Sequence, residues 1–551
     1  MSTQTVNPRP ERRVAINSSL LLMAYGFQAL VSLVVVGIMA RYLGQAGLGR
    51  YAFIISFTEL FTVLVDMGMN RILVREIAKD QSNATRLTSA IWTLRLVLSL
   101  LIFVVVALLA ARDGDSYLWL ATMAFFMAQV IYLLGDVFAA AFQGYQRMEH
   151  QFWSIIIAQV LMLALTVAVV WLDLGLVALF GARIVANGAR LVYVWWISTY
   201  KGFAEAHFMA GVIKGAGASV RSLPAALSTW RRSGRQAASA LVEAQGQRLV
   251  RRWDDARLAW FLFVESLPVG ISLLLHSYVW RAGLVLTVLW LGQEQGDLVN
   301  GVLYGPLRAV QQVRIIPAAF AAAMLPVFSD RAASRMDEFD TAFAKTIKLF
   351  TAISLLISLT FTFLADPLVT LLLGDAIDLS TAAVVLASLG WVIVLIFPNW
   401  LYSVTLVALG RQKLETLGLA LGLAIGFLVT WWGVPRLQSM GVVLGILAAE
   451  GVYFVVGTIA MRGHFHWRRL APSLGKVILA CALAGVVFLA GSRLWTGLSA
   501  AGRVPGDTWG ALLEVAVVGA AGLVVFFAAL VLLRTFNEDE KEAIAAMIRL
   551  R

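Results

Sequence analysis

The chain has 551 residues, of which 60% are hydrophobic and 14% charged, with 44 Lys plus Arg against 32 Asp plus Glu and a formal net charge of +12. A mean hydropathy of +0.82 excludes a water-soluble globular protein, and a single cysteine, Cys481, excludes a disulfide framework or a cysteine metal site. A basic chain this apolar carries its charge for a membrane and not for nucleic acid.

Apolar stretches of about 20 residues, each able to cross ~30 Å of hydrocarbon, recur from end to end. In chain order they fall at 17–40, 51–69, 87–110, 117–142, 152–171, 174–199, 261–291, 298–328, 346–365, 382–408, 414–432, 440–461, 474–495 and 509–533. This predicts an all-α polytopic membrane protein of about fourteen transmembrane helices. The first stretch is too long for a signal-peptide core and lacks a small-residue cleavage site, so it reads as an anchor. With the N-terminus placed in the cytoplasm, 32 of the 44 basic residues fall in inner segments or at inner span ends, 6 in outer loops or at outer span ends, and 6 deeper inside spans. That asymmetry predicts a multi-pass protein of the cell membrane with both termini cytoplasmic.

The spans group into an N-terminal lobe (1–199, spans 1–6), a basic cytoplasmic insert (200–257), a C-terminal lobe (258–463, spans 7–12), two appended spans (464–533) and a cytoplasmic tail (534–551). The insert holds 10 basic and 4 acidic residues. Within it, Gln236 to Leu258 reads as a helix with Leu241, Val242, Leu249, Val250 and Trp253 among basic residues. Such a segment suits either an anionic membrane surface or a solvated linker. The two lobes resemble each other. Tyr42-Leu43-Gly44-Gln45 ends span 1 as Trp290-Leu291-Gly292-Gln293 ends span 7. Gly144-Tyr145-Gln146-Arg147 follows span 4 as Gly410-Arg411-Gln412-Lys413 follows span 10. A repeat of six spans keeps its orientation, which predicts two parallel six-helix lobes with substrate between them.

Six arginines lie inside spans: Arg95, Arg183, Arg190, Arg281, Arg308 and Arg314. A guanidinium near the bilayer centre costs about 3 kcal/mol, so such residues face a bundle interior or a watery cavity. Their planar fork suits phosphate. Arg281 and Arg308 each lie about ten residues from the outer end of their span, which predicts similar depth and a joint grip on a pyrophosphate. Arg314 on span 8, and Arg183 and Arg190 on span 6, are further candidates for that role. Arg95 lies nearer the inner edge, where it can snorkel. The plainer reading is that these arginines pin helices by pairing with acids or carbonyls. Intramembrane acids are Glu59, Asp66, Asp136, Glu450 and Glu514. Glu59, Asp66 and Asp136 are candidates for ion coupling or charge pairing, with Arg71 and Arg75 within reach of Asp66. No Gly-rich phosphate loop is present, and the five histidines form no catalytic or zinc grouping. No cofactor, metal or catalytic group is therefore expected; His464 and His466 fit an interfacial loop.

Ala40-Arg41-Tyr42-Leu43-Gly44-Gln45-Ala46-Gly47-Leu48-Gly49-Arg50-Tyr51 resembles the first hairpin of bacterial and archaeal oligosaccharide flippases. These are the Wzx-like polysaccharide biosynthesis and export proteins of the multidrug/oligosaccharidyl-lipid/polysaccharide (MOP) exporter superfamily. Asp66-Met67-Gly68-Met69 with Val74-Arg75-Glu76, Glu265-Ser266-Leu267-Pro268-Val269-Gly270 and Leu325-Pro326-Val327-Phe328-Ser329 are similar to further markers of that family. The resemblance runs from about residue 14 to 495. It implies two six-helix lobes around a central V-shaped cavity, and alternating-access transfer of a polyprenyl-pyrophosphate-linked oligosaccharide to the outer leaflet for cell-surface polysaccharide biosynthesis. Fourteen spans also occur in lipid II flippases of the superfamily, so two glycan classes stay open. Implied partners are that substrate, membrane lipids, a coupling proton or sodium ion, and a glycan polymerase or glycosyltransferase; nucleic acid is not among them. The alternatives are a multidrug or cation antiporter of the same superfamily, which needs an acidic cavity, and a membrane glycosyltransferase or polymerase, which needs a large outer loop or a carboxylate–metal site.

Overall fold

The computed structural model describes residues 10–112, 114–203, 235–334, 336–462, 467–505 and 507–535. Most of the basic insert (204–234), His464, His466 and the tail beyond 535 lie outside these residues, as do the side chains of the helix expected from Gln236. Sixteen α-helices are described: α1 (Pro10–Asp66), α2 (Met69–Lys79), α3 (Ala84–Ala111), α4 (Ser116–Gly144), α5 (Met148–Trp171), α6 (Gly175–Tyr200), α7 (Arg235–Leu291), α8 (Gln293–Val313), α9 (Ile315–Ser334), α10 (Met336–Phe363), α11 (Ala365–Leu373), α12 (Leu379–Ala408), α13 (Gln412–Leu437), α14 (Ser439–Ala460), α15 (Trp467–Ala500) and α16 (Thr508–Leu532).

Among the described residues, twelve helical stretches are long and apolar enough to cross a membrane. Two features separate that number from the fourteen expected spans. First, α1 is broken at Gly44, whose φ of 65° and ψ of −175° suit glycine because a Cβ there would be strained. Both arms of α1 then lie along α8. Gln45 donates to the Leu298 carbonyl at 3.0 Å, Tyr51 meets Tyr304 edge-on at 5.7 Å, and Ser32 accepts from Arg308 at 2.9 Å. Residues 32 and 51 can both reach one helix only if α1 folds back on itself, so it supplies two spans. Second, span 8 is divided into α8 and α9 at Arg314. Pro317, in the first turn of α9, has no N–H to offer the Val313 carbonyl, so the helical ladder lapses there. This divided, polar span is not among the twelve.

The proposed sequence repeat has a backbone counterpart. Gly292, between α7 and α8, takes φ 79° and ψ 171°, close to Gly44. The match after spans 4 and 10 holds with a changed register. Tyr145, Gln146 and Arg147 donate to the carbonyls of Ala141, Gln143 and Phe142, and Leu409, Gly410 and Arg411 donate to those of Thr405, Val407 and Leu406. Both are Schellman endings, with Gln146 (φ 57°) and Gly410 (φ 69°) in the left-handed position. Gly410 therefore corresponds to Gln146, two residues beyond Gly144.

The chain divides into two compact units, one of Met1–Val31 with Thr58–Leu274 and one of Ser32–Phe57 with Leu275–Arg551. In the first, α2, α3, α4 and the lower part of α7 share a core around Ile72, Ile77, Ile91, Val137 and Leu262. Two of the family-like motifs meet here: a Cβ on Gly270 would lie 2.5 Å from the Met67 carbonyl, and Arg75 bonds Glu265 at 2.9 Å. In the second unit, α10 and α12 are joined through Phe350 and Phe397, 5.4 Å apart. The pair α13 and α14 packs through small residues, with Gly426 and Gly433 against Gly445 and Gly441. In lipid, where apolar burial gives no drive, such close backbone approach is a main source of helix association. The appended α15 and α16 dock on α10 and α11 through Leu356, Leu364, Cys481, Phe488, Val518 and Phe526. Val517, Val524 and Val531 repeat every seven residues on the opposite, exposed face of α16, as a lipid-facing stripe requires.

Candidate functional site

The second unit gathers three of the intramembrane arginines. Arg281 sits on α7, Arg308 on α8 and Arg314 at the α8–α9 break. Their relative depth differs from the expectation. Asn300 donates to the Leu284 carbonyl at 2.9 Å, and a Cβ on Gly296 would lie 2.7 Å from Val288 Cα. These two antiparallel contacts put residue 303, not 308, level with Arg281. Arg308 is then five residues, or about 7 Å, deeper, at the level of His276. The discrepancy arises because α8 starts at Gln293, ahead of the apolar run that begins near residue 298.

Arg314 is positioned from two sides. Its Nη2 donates to His276 Nε2, and its guanidinium carbon lies 4.9 Å from the centre of the Trp280 ring. Arginine has only donors, so in this contact the histidine ring nitrogen is the acceptor. Arg314 Nε is buried with no hydrogen-bond partner among the described residues. Arg281 bonds Ser277, one turn back on α7, and lies within electrostatic range of Arg314. Arg308 donates to Ser32 Oγ at 2.9 Å and Gln311 Oε1 at 3.3 Å, and Gln312 reaches the same serine at 3.4 Å.

A residue outside the expected site completes this cluster. Glu450, on α14, takes the Trp280 indole N–H at 3.3 Å on one carboxylate oxygen and Asn399 Nδ2 at 2.8 Å on the other. The sequence marks Glu450 as an intramembrane acid. It does not link it to Arg314, because the residues between them come from α7 and α12.

The first unit uses its charges differently. Arg183, Asn187 and Arg190 form the expected stripe on α6, and it faces α4. Arg183 lies 5.3 Å from the Phe125 ring, Asn187 donates to the Ala128 carbonyl at 2.8 Å, and Arg190 sits 4.5 Å over Tyr132. Arg190 is bonded to Asp136 at 2.9 Å, and Asn70 donates to the other oxygen of that carboxylate at 2.5 Å. Arg95 does not snorkel. It is fully buried, bonded to Asp66 and to the Leu133 carbonyl at 2.8 Å. Asp66 therefore has Arg95 as its described ion-pair partner, while Arg75 pairs with Glu76 and Glu265. Glu59 accepts from Gln129 at 3.2 Å. The arrangement is one of acid–arginine pairs that fasten α1, α3, α4 and α6.

Residues 14–221 match the family model described as polysaccharide biosynthesis protein. No curated protein sequence matches the chain. Its fold is similar to that of lipid II flippase MurJ in an inward closed conformation, with a TM-score of 0.58, 10% identity and coverage of 93% of this chain and 98% of that one. The family-model match spans the first two fifths of the chain, and the structural likeness runs over most of it. A multidrug resistance MATE family transporter of the MOP superfamily, in an inward-facing conformation, aligns with a TM-score of 0.57 and 16% identity over 82% of this chain and 96% of that one. A MOP superfamily transporter from Pyrococcus furiosus Vc1 (DSM3638), described as having a binding pocket of reverse polarity that suggests a different function, aligns with a TM-score of 0.53 and 15% identity over 83% and 96%. These likenesses are of fold.

Proposed function

We propose that this protein is a transporter of the MOP superfamily that moves a polyprenyl-pyrophosphate-linked oligosaccharide from the cytoplasmic to the outer leaflet by alternating access, for cell-surface polysaccharide biosynthesis, with both termini cytoplasmic. Arg281, Arg308 and Arg314 take the pyrophosphate. The observation that carries the reading is Arg314: a guanidinium at a break in a membrane span, braced by His276 and Trp280, with a buried Nε that has no hydrogen-bond partner among the described residues. A buried donor left unmet costs about 1–3 kcal/mol, and a bidentate phosphate is the ligand that such a fork suits. The family model matched by residues 14–221 supports a polysaccharide-related cargo. A cation antiporter fits less well, because Asp66 and Asp136 are each held by an arginine.

The test is binding of farnesyl pyrophosphate to the purified protein, with melting temperature followed in parallel. A charge-assisted bond is worth roughly 1.5–3 kcal/mol, so Arg281→Ala or Arg314→Ala should weaken binding about ten- to a hundredfold at unchanged melting temperature. Normal affinity in a well-folded double variant would sink the assignment.

A further inference from the structure

Glu450 is 5% exposed, deep in α14. Its two described side-chain bonds come from neutral groups, the Trp280 indole N–H and the Asn399 amide, and Asn399 also donates to the Glu450 carbonyl at 3.0 Å. Asp66 and Asp136, by contrast, each touch a guanidinium. A carboxylate in a membrane interior that has no cation bonded to it holds its charge at a cost, and a proton removes that cost. The donors on Glu450 do not fix one state, since each can serve a carboxylate or the carbonyl oxygen of a carboxylic acid.

The surroundings of Glu450 link its charge to the anion site. Trp280 holds Glu450 by its N–H and carries the Arg314 guanidinium over its ring. Among the described residues, Arg314 near α8 and Tyr453 one turn further along α14 lie within electrostatic range of Glu450, and Arg281 and His276 adjoin Arg314. Arg314 is therefore the cation nearest to serving as counter-charge for an ionised Glu450, and it is also the residue assigned to the substrate anion.

We propose that Glu450 is a proton-binding site whose charge state sets the anion affinity of Arg281 and Arg314. This rests on the pyrophosphate reading above. When Glu450 is ionised, its negative charge competes with an incoming anion for the field of Arg314. A proton passing from water to the Glu450 carboxylate removes that competitor and leaves both guanidinium groups to the anion; no other bond changes. Because the coupling is reciprocal, an anion that binds better to the protonated form must itself draw a proton onto Glu450. The carrier is then loaded with anion and proton together.

The experiment is a pH series of farnesyl pyrophosphate binding to the purified full-length protein, run beside Glu450→Gln, so that titration of the probe itself cancels between the two. The wild-type affinity should rise relative to the variant by about tenfold on going from alkaline to acidic pH, a usual size for coupled sites. Glu450→Gln should bind with the high affinity throughout. A variant with the same pH profile as wild type overturns the inference and leaves the anion site standing. Absence of binding at every pH overturns the anion site, and this inference with it. Should Glu450→Gln fail to fold, proton uptake by the wild type on probe addition in weak buffer decides: uptake beyond that of the probe supports the site, and none overturns it.

Discussion

Arg190 and Asp136, on two helices of one unit, are bonded to each other at 2.9 Å, with Arg190 almost wholly buried. Sequence patterning makes the arginine a pyrophosphate candidate and the aspartate a candidate for ion coupling or charge pairing; the two meet as a pair, while Arg190 Nε and Nη1 are buried without a hydrogen-bond partner among the described residues. Removing one partner from a buried pair leaves an uncompensated charge and costs about 3 kcal/mol, whereas removing both costs much less. Arg190→Gln and Asp136→Asn should each lower the melting temperature strongly, and the double variant should recover most of the loss. Additive losses in thermal unfolding would show that the two residues act separately.

Close backbone approach supplies a second test. A Cβ on Gly49 would stand 1.6 Å from the Asp297 carbonyl oxygen, whereas one on Gly26, in the same helix, meets nothing within 4 Å. Gly49→Ala should force the hairpin off α8 and cost about 1–3 kcal/mol. Gly26→Ala should be neutral or stabilise by about 0.4–1 kcal/mol, because alanine loses less chain entropy in a helix. Equal melting temperatures for the two variants would contradict the docking of the hairpin.

His276 is a positioning residue for Arg314. His276→Phe keeps a ring beside Trp400, now 6.0 Å away, but removes the acceptor. The expected result is about tenfold weaker pyrophosphate binding, equivalent to about 1.4 kcal/mol. His276→Asn, which restores an acceptor, should recover part of it. Unchanged affinity in His276→Phe, measured by titration, would remove His276 from the site.

Orientation is tested by cysteine labelling in a Cys481→Ala background. Gln295 and Ala501 are exposed at span ends predicted to face outward, and Ser82 and Gln412 at span ends predicted to face the cytoplasm. Impermeant thiol reagent on whole cells should label the first pair and spare the second. The reverse pattern would invert the topology.

Hydropathy and glycine placement carried most of the fold. Gly44 and Gly292 share a four-residue context, and both break a helix in the same conformation. What the sequence hid has a local physical cause in each case. The length of α8 was obscured by its polar first turn, where Glu294 and Asp297 interrupt the hydropathy and shift the apparent depth of Arg308. The register after spans 4 and 10 followed glycine letters, while the backbone requires only a left-handed residue, supplied once by Gln146 and once by Gly410. Of the site, the arginines were legible because each violates the apolar pattern of its span. Their partners were not, since Asp66 with Arg95, or Glu450 with Trp280 and Asn399, are chosen by helix packing.

The tip of α1 ends up in the unit built mostly from later residues. Arg50 finds Asp297 at a separation of 247 residues, and Gln45 accepts from the Asp378 N–H at a separation of 333. Biosynthesis runs the other way, so this hairpin enters the membrane long before its partners exist. Arg41, Gln45 and Arg50 must meanwhile hydrogen-bond to water or headgroups, and the closing of so long a loop is a late and slow event. Maturation of the protein is therefore a two-ended process. The second half does not assemble on a finished first half, because it has to take residues 32–57 into its own structure before either is complete.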